Sequence, residues 1–480
     1  MPQFQTLTDA SLIFAIFHLV LAPTAVLHAM LFKRDSRAAF GWIALCLLLP
    51  AAGPVLYALL GVNRIQKRAR RLALPRLGVG FERGRARIPQ AEPNADVPAR
   101  FRELAGIGQQ LSGHELAPGN SIEALRNGDR AYPAMLEAID EARRSVFLIS
   151  YIFDADAVGQ EFIDALVRAK QRGVDVRVVI DGVGQFYSFP PIPRRLRRAG
   201  IETALFLPPR LLPPKLSINL RNHHKILAVD GHSAFTGGLN ISDRHRLGSS
   251  PGRKSVQDLH FRFRGPVAMQ LENEFLRTWE FTTGHRQQPP PVSALPHGDC
   301  HCRALTDGPD EDLDHITMLL SAMIAQAKQS ILIMTPYFLP PREIIGALQA
   351  ACLRGVEVKL VLPEENNLPY VHWATRNMLW EVLYQGVEVY YQPPPFVHSK
   401  LFVVDDRYTL VGSANWDPRS LRLNFELQVE VFSQALAAEM ASRIREAAES
   451  GREVTLAEVD ERKLAVRLRD SLCWLFSPYL

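Results

Sequence analysis

The feature that most constrains this chain is a motif written twice. His223-x-Lys225-x4-Asp230 is followed by Gly237-Gly238-x-Asn240, and His398-x-Lys400-x4-Asp405 is followed by Gly412-Ser413-x-Asn415 at the same internal spacing. Behind each motif lies a wholly apolar stretch, Ile226–Val229 and Leu401–Val404, so each is predicted to be a central β-strand. Side chains at i and i+2 of a strand share a face, which sets each histidine beside its lysine. An imidazole next to a fixed ammonium suits attack on phosphorus while the phosphorus-bound oxygens are held.

The duplication extends well beyond the motifs. AxxSVFLISYIF at 142–153 matches AxxSILIMTPYF at 327–338, and RGVDVRVVI at 172–180 matches RGVEVKLVL at 354–362. Helical spacing at 132–144 and 158–171 alternates with apolar strands at 146–153 and 174–180. The same order returns at 316–328, 331–338, 342–353 and 356–362. The expected fold class is therefore α/β, with two tandem repeats, 119–288 and 298–455, forming one catalytic unit. Pro289-Pro290-Pro291 marks the linker between them.

Two uncharged runs, 12–32 and 40–60, precede the repeats, and each is long enough to cross about 30 Å of hydrocarbon as a helix. They predict a transmembrane hairpin over 1–63, its second span kinked near Pro50, Gly53 and Pro54. Basic residues gather between and after the runs, which puts the catalytic part in the cytoplasm. Residues 64–118, basic and rich in Pro, Gly and Ala, are expected to be a juxtamembrane linker. The basic, apolar tail 456–480 reads either as an interfacial amphipathic helix or as a helix packed on the catalytic unit. Two further stretches admit a lipid-facing or a plain structural reading: the arginines Arg194, Arg195, Arg197 and Arg198, and the apolar loop 206–218 with Phe206, Leu207, Leu211 and Leu212.

Charge and cysteine use narrow the classes. A net charge of +5 favours anionic partners without choosing among them. Cys46, Cys300, Cys302, Cys352 and Cys473 are odd in number and scattered, which gives no disulfide framework. Cys300-His301-Cys302 lacks a second ligand pair and reads as the start of a strand, so neither a metal site nor a cofactor is expected. A nuclease is disfavoured by the two apolar runs and by the lack of interleaved basic and aromatic stretches.

A phosphodiester repels nucleophiles, and two histidines can overcome this without a metal. One attacks as the neutral base, while the other protonates the leaving oxygen and later deprotonates the acceptor. Lys225 and Lys400 would clamp the phosphate oxygens, joined by Asn240, Asn415, Gly238 and Ser413. Asp230 and Asp405, at strand-to-turn boundaries, complete the two catalytic motifs by forming the site rather than moving protons. Each histidine also needs an acceptor for its second ring nitrogen. Asp258 and Glu426, downstream of the first and second motif, are the candidates. His18, His28, His224, His232 and His372 read as ordinary histidines.

The paired motif resembles the signature of the phospholipase D superfamily. Over nearly the whole chain the resemblance is to bacterial cardiolipin synthases of the membrane-hairpin type. It is carried by GNSIEALRNGD at 119–129, RNHHKILAVDGHSAFTGGLNISD at 221–243, DGPD at 307–310, TPYFLP at 335–340, HSKLFVVDD at 398–406 and GSANWDPRSLRLNFE at 412–426. The resemblance implies phosphatidyl transfer between two phosphatidylglycerol molecules, giving cardiolipin and glycerol through a phosphohistidine on His223. It also implies location in the bacterial inner membrane, with a homo-oligomer possible. The chain departs from the expected pattern after Pro363, where Glu364-Glu365-Asn366-Asn367 stands in place of an acidic residue near Asn367. Phosphatidylethanolamine as donor, and hydrolysis by a membrane-bound phospholipase D, therefore stay open.

Overall fold

The computed structural model describes residues 18–33, 36–49, 51–61, 99–209, 220–247, 255–285, 295–309 and 312–477. The chain divides into two units, Met1–Arg71 with Pro209–Asn219, and Leu72–Pro208 with Leu220–Leu480.

In the first unit, residues 18–32 are helical, followed by helices Ser36–Leu48 and Ala52–Leu56 and a π-helical turn Tyr57–Gly61. Small residues let the helices approach: Ala25, Ala29 and Cys46 are buried with Trp42 and Tyr57. The Tyr57 hydroxyl lies 2.8 Å from Nδ1 of His28. Leu19, Leu27, Leu31, Phe40 and Leu48 point outward. Among the described residues no helix is long and apolar enough to cross a membrane. Part of the first predicted span, and Pro50, lie outside the described residues.

The second unit is built on strands, some of which, such as Ser145–Ser150 and Ser330–Met334, are buried along their whole length. In chain order they are β1 (Ala117–Arg126), β2 (Ser145–Ser150), β3 (Asp175–Asp181), β4 (Glu202–Phe206), β5 (Ile226–Val229), β6 (Ser233–Gly237), β7 (Val256–Gln257) and β8 (Leu259–Arg264). The second repeat gives β9 (Cys300–Asp307), β10 (Ser330–Met334), β11 (Glu357–Pro363), β12 (Glu388–Gln392), β13 (Phe396–Val397), β14 (Leu401–Val404), β15 (Tyr408–Gly412), β16 (Glu426–Phe432) and β17 (Arg452–Val454). Fifteen of these form one sheet, in the order β17-β12-β11-β10-β14-β15-β16-β9-β1-β8-β6-β5-β2-β3-β4. Outward from the β9–β1 junction the two halves mirror each other, apart from the extra edge strand β17. β2-β3-β4 and β10-β11-β12 pair in parallel, while β5 and β14 run antiparallel to β2 and β10. Cys300-His301-Cys302 opens β9.

Crossover helices such as Ala157–Gln171 and Arg342–Leu353 cover the sheet, and each half has its own apolar core. Asp156 caps the first of these by accepting the Gly159 N–H at 2.9 Å. Gly173, at φ +85°, ends it in a conformation that suits glycine.

One expectation needs correction, and at two further places the structure chooses between open readings. The stretch 64–118 is not all linker: its last part forms the helix Ala99–Ser112 and the start of β1, and Arg303 ties that helix down by donating to the Ala105 carbonyl at 2.6 Å. At Phe206 the plain structural reading holds. The side chain is buried at the end of β4 against Phe281 and Phe425, with ring centroids at 5.3 and 5.1 Å, while Leu211 and Leu212 lie outside the described residues. Of the two readings of the tail, packing on the catalytic unit is the one the structure shows. Helix Leu464–Leu475 packs on Pro369–Leu383 through Asp470, which receives Arg376 at 2.8 Å, while Leu464, Leu468, Leu472 and Leu475 stay exposed on the other side.

Asp230 and Asp405 carry out the structural task expected of them. Each adopts positive φ at the end of its motif strand, which aspartate tolerates better than most residues. The Asp230 carboxylate accepts the backbone N–H groups of Arg143, Arg144 and Ser145 at 2.7–2.9 Å, so it fixes the entry to β2. Asp405 does the same for Lys328, Gln329 and Ser330 at the entry to β10. Asp230→Ala is expected to leave three buried or part-buried donors without this acceptor. It should lower unfolding stability by about 3 kcal/mol, as read by chemical denaturation.

Candidate active site

β5 and β14 lie in the middle of their half-sheets, and the residues just before them, 223–225 and 398–400, approach the junction between the halves. Two short pairings set the geometry. Asn222 bridges Phe425, and β13 pairs with β7 so that Val397 sits opposite Gln257. The His223 N–H donates to the Phe425 carbonyl at 2.9 Å, and the His398 N–H donates to the Gln257 carbonyl at 2.7 Å. In each case the residue preceding a histidine is paired with the residue preceding the other half's carboxylate.

The side chains follow the backbone. His223 Nδ1 lies 2.9 Å from Glu426 Oε2, and His398 Nδ1 lies 2.9 Å from Asp258 Oδ2. Asp258 and Glu426 are thus the histidine partners, but crossed: each serves the motif of the other repeat. Both carboxylates are fully buried. Burial alone would raise Asp258, yet Lys400 and His398 outweigh it and hold its pKa below the usual value. Burial likewise works against an ionised Glu426, and His223, Lys225 and Ser413 reverse the balance.

Desolvation lowers both imidazoles. At His223 it prevails over the attraction of Glu426. At His398 burial and the nearby Lys400 ammonium prevail over Asp258 and bring the pKa to about 3. A neutral imidazole that donates Nδ1–H to a carboxylate presents Nε2 as a base. Lys225 Nζ donates to the His223 carbonyl at 2.7 Å and lies 5.7 Å from the centre of the Tyr151 ring. Lys400 Nζ donates to the His398 carbonyl at 2.5 Å and lies 3.0 Å from His398 Nδ1. Burial pulls Lys225 down to about 7 and Lys400 to about 8. Lys225 feels Glu426, Lys400 and Asp258, so both half-sites share one electrostatic neighbourhood.

The G-[GS]-x-N residues lie close by. A Cβ on Gly238 would come within 2.3 Å of Asp258 Oδ1, so the glycine makes room for that carboxylate. Ser413 is fully buried and donates to Glu426 Oε2. Asn240 Oδ1 accepts the Ile152 N–H at 3.1 Å, and Asn415 Nδ2 donates to Ser420 Oγ at 3.1 Å. Asp230 and Asp405, at the far ends of β5 and β14, are not brought to the imidazoles. His224 is buried, and desolvation brings it to about 4.

Several residues at the site went unnoticed in the sequence. The Tyr151 ring lies 5.3 Å from that of His223, and the Tyr337 ring 6.1 Å from that of His398. Asn367, the point of departure noted above, accepts the Tyr337 hydroxyl at 2.7 Å. Asp181 receives Arg221 at 3.1 Å and the Asn222 N–H at 2.9 Å, which steadies the approach to His223. The repeated aromatic endings SYIF and TPYF were the available signal for both tyrosines.

Comparison with known proteins agrees with this architecture. The family described as "Cardiolipin synthase, PLD-like domain" matches residues 135–279 and 320–448. The chain is 30% identical to the major cardiolipin synthase ClsA of Bacillus subtilis, over 98% of this chain and 99% of that one. It is 28% identical to cardiolipin synthase A of Proteus mirabilis, over 97% of each. Among solved structures, the phosphatidylserine synthase of Haemophilus influenzae shares the fold, with a TM-score of 0.58, 16% identity, and coverage of 79% of this chain and 100% of that one. The chain belongs to the cardiolipin synthase family of phospholipase D-like proteins.

Proposed function

We propose that the protein is a cardiolipin synthase that moves a phosphatidyl group from one phosphatidylglycerol to another by way of a phosphohistidine. The observation that carries this reading is the crossed pair of imidazoles, each held at Nδ1 by a carboxylate of the other repeat and each beside a lysine. In the first step His223 Nε2 forms a bond to phosphorus and the bond from phosphorus to the glycerol oxygen breaks. His398 gives that oxygen its proton. The bound phosphate offsets the Lys400 charge and so raises the proton affinity of His398 in the complex. In the second step a hydroxyl of the acceptor lipid passes its proton to His398, its oxygen bonds to phosphorus, and the bond from nitrogen to phosphorus breaks. Lys225 and Lys400 hold the non-bridging oxygens as charge builds on them. Glu426 and Asp258 keep the two rings in the productive tautomer and orientation.

Transfer to a lipid alcohol rather than to water is favoured by a site seated at a membrane. The outward-facing leucines of the N-terminal helices and the two apolar runs support a transmembrane hairpin. The Leu464, Leu468, Leu472 and Leu475 stripe, with Arg467 nearby, suits the surface of an anionic leaflet. The catalytic unit then works at the cytoplasmic face of the bacterial inner membrane.

Purified protein in phosphatidylglycerol micelles, followed by mass spectrometry, is expected to form cardiolipin and free glycerol in equal amounts. Phosphatidic acid without cardiolipin would make water the acceptor and refute the transferase. His223→Ala and His398→Ala should each lower turnover by at least about a thousandfold. Near-normal activity in either variant would remove the two-histidine mechanism. The lysines also set a pH dependence. Their ammonium forms are lost as pH rises through about 7 for Lys225 and about 8 for Lys400. Hence kcat/KM should fall on the alkaline side of neutrality, while the fall in kcat moves to higher pH because bound phosphate stabilises the ammonium forms.

A further inference from the structure

A loop of exposed aromatic residues stands beside the first half-site, and the chemistry above makes no use of it. Between β3 and the short helix Ile192–Arg198 the chain turns through Gly184–Tyr187 and then Ser188 and Phe189. Phe189 is 94% exposed, Phe186 65% and Tyr187 56%. Three large aromatic side chains within four residues at such exposure need a reason, because elsewhere in the catalytic unit most phenylalanines are buried.

The loop is held firmly at its base. Asp181 Oδ1 accepts the N–H groups of Val183 at 2.8 Å and Gly184 at 2.9 Å, and the same carboxylate receives Arg221 and the Asn222 N–H. One buried side chain thus ties the aromatic loop to the residue that precedes His223. Gly184 passes so close to Tyr151 that a Cβ there would meet the Tyr151 carbonyl oxygen at 1.8 Å. The far leg is tied too: Ser188 Oγ accepts the Ala155 N–H at 2.6 Å, and Arg195 donates to the Ala155 carbonyl at 3.2 Å. The Tyr187 ring lies 6.0 Å from Tyr151, whose ring lies 5.3 Å from His223. The tip is therefore presented in a fixed relation to the catalytic imidazole.

The charge around the loop identifies what it meets. From Gly182 to Ile201 there are four arginines and no acidic residue. Arg194, Arg197 and Arg198 are exposed on the helix that follows the aromatic tip. Apolar rings followed by guanidinium groups match the order of acyl chain and phosphate at the edge of an anionic bilayer. An aqueous partner surface of mixed charge would not call for a segment of one sign.

We propose that the Gly184–Phe189 loop inserts its aromatic side chains into the interface of an anionic phospholipid bilayer and thereby seats the His223 half-site at the lipid surface. The inference rests on the reading that the substrates are membrane phospholipids. It adds the element that brings the site to them, separate from the N-terminal segment.

The test uses the full chain reconstituted in nanodiscs that contain phosphatidylglycerol. Phe189→Trp adds one indole to the tip, read as the difference from the parent protein. Its emission is expected to be quenched by brominated phospholipids and shielded from aqueous iodide. Quenching by iodide alone would leave the tip in water, and shielding from both quenchers would bury it against protein; either overturns the proposal. This readout needs no turnover, so it stands or falls independently of the cardiolipin synthase reading. Phe186→Ala/Phe189→Ala should lower the rate on bilayer phosphatidylglycerol about tenfold and leave the rate on monomeric short-chain phosphatidylglycerol within about twofold. Loss on both substrates would assign the loop to the catalytic site itself, and loss on neither would leave it without a docking role. Both results contradict the proposal.

Discussion

Two short backbone pairings, Asn222 with Phe425 and Val397 with Gln257, hold the rest of the site in place. They bring each histidine against a carboxylate of the other repeat. The charges at stake are large: Lys225, Lys400, Asp258 and Glu426 are all withdrawn from water. A buried charge without a partner is strongly destabilising, so the four are tolerable only together. Neither repeat could form a site alone, since each would expose an imidazole with no acceptor for Nδ1 and a carboxylate without its histidine partner. The continuous sheet, with β9 joined to β1, keeps the two repeats in register so that the crossing persists.

The duplication is close but not complete, and its deviations are informative. At the position after the glycine that both repeats share, the first repeat has Gly238 and the second Ser413. The partner carboxylates differ too, Asp258 against Glu426. Gly238 leaves the space that the Asp258 carboxylate fills, whereas Ser413 donates a hydrogen bond to the longer Glu426. The histidines also differ, because Lys400 lies 3.0 Å from the His398 ring while Lys225 leans toward Tyr151. Two half-sites that began alike thus supply imidazoles in different electrostatic surroundings, as a reaction with one nucleophile and one acid requires.

Local signals carried most of what the sequence made legible. The motif strands Ile226–Val229 and Leu401–Val404 are uninterrupted apolar runs between polar turns, and the structure has β5 and β14 at those bounds. The helix ending at Gln171 has a clear stop in Arg172-Gly173, and its end was read correctly. The crossing of Asp258 and Glu426 was not legible, because nearness in sequence suggests that a carboxylate serves its own motif. Only pairing between distant strands reveals the exchange. Composition misled at residues 99–118, where Pro, Gly and Ala upstream hid a helix held by the buried Arg303. At Phe206 composition left a buried and a lipid-facing reading open, and only its packing at the end of β4 decides for burial. The exposed aromatic loop passed unnoticed, since aromatic residues in sequence look the same in a core as at a surface.

The central claim is that the histidine of one repeat acts only through the carboxylate of the other. The most direct measurement is rapid acid-free quenching of the enzyme with phosphorus-labelled phosphatidylglycerol, followed by location of the label in peptides. The account predicts label on His223 at up to one equivalent per chain, and Glu426→Gln should slow its formation by about a hundredfold. Label on His398 instead, or undiminished labelling of His223 in Glu426→Gln, would contradict it.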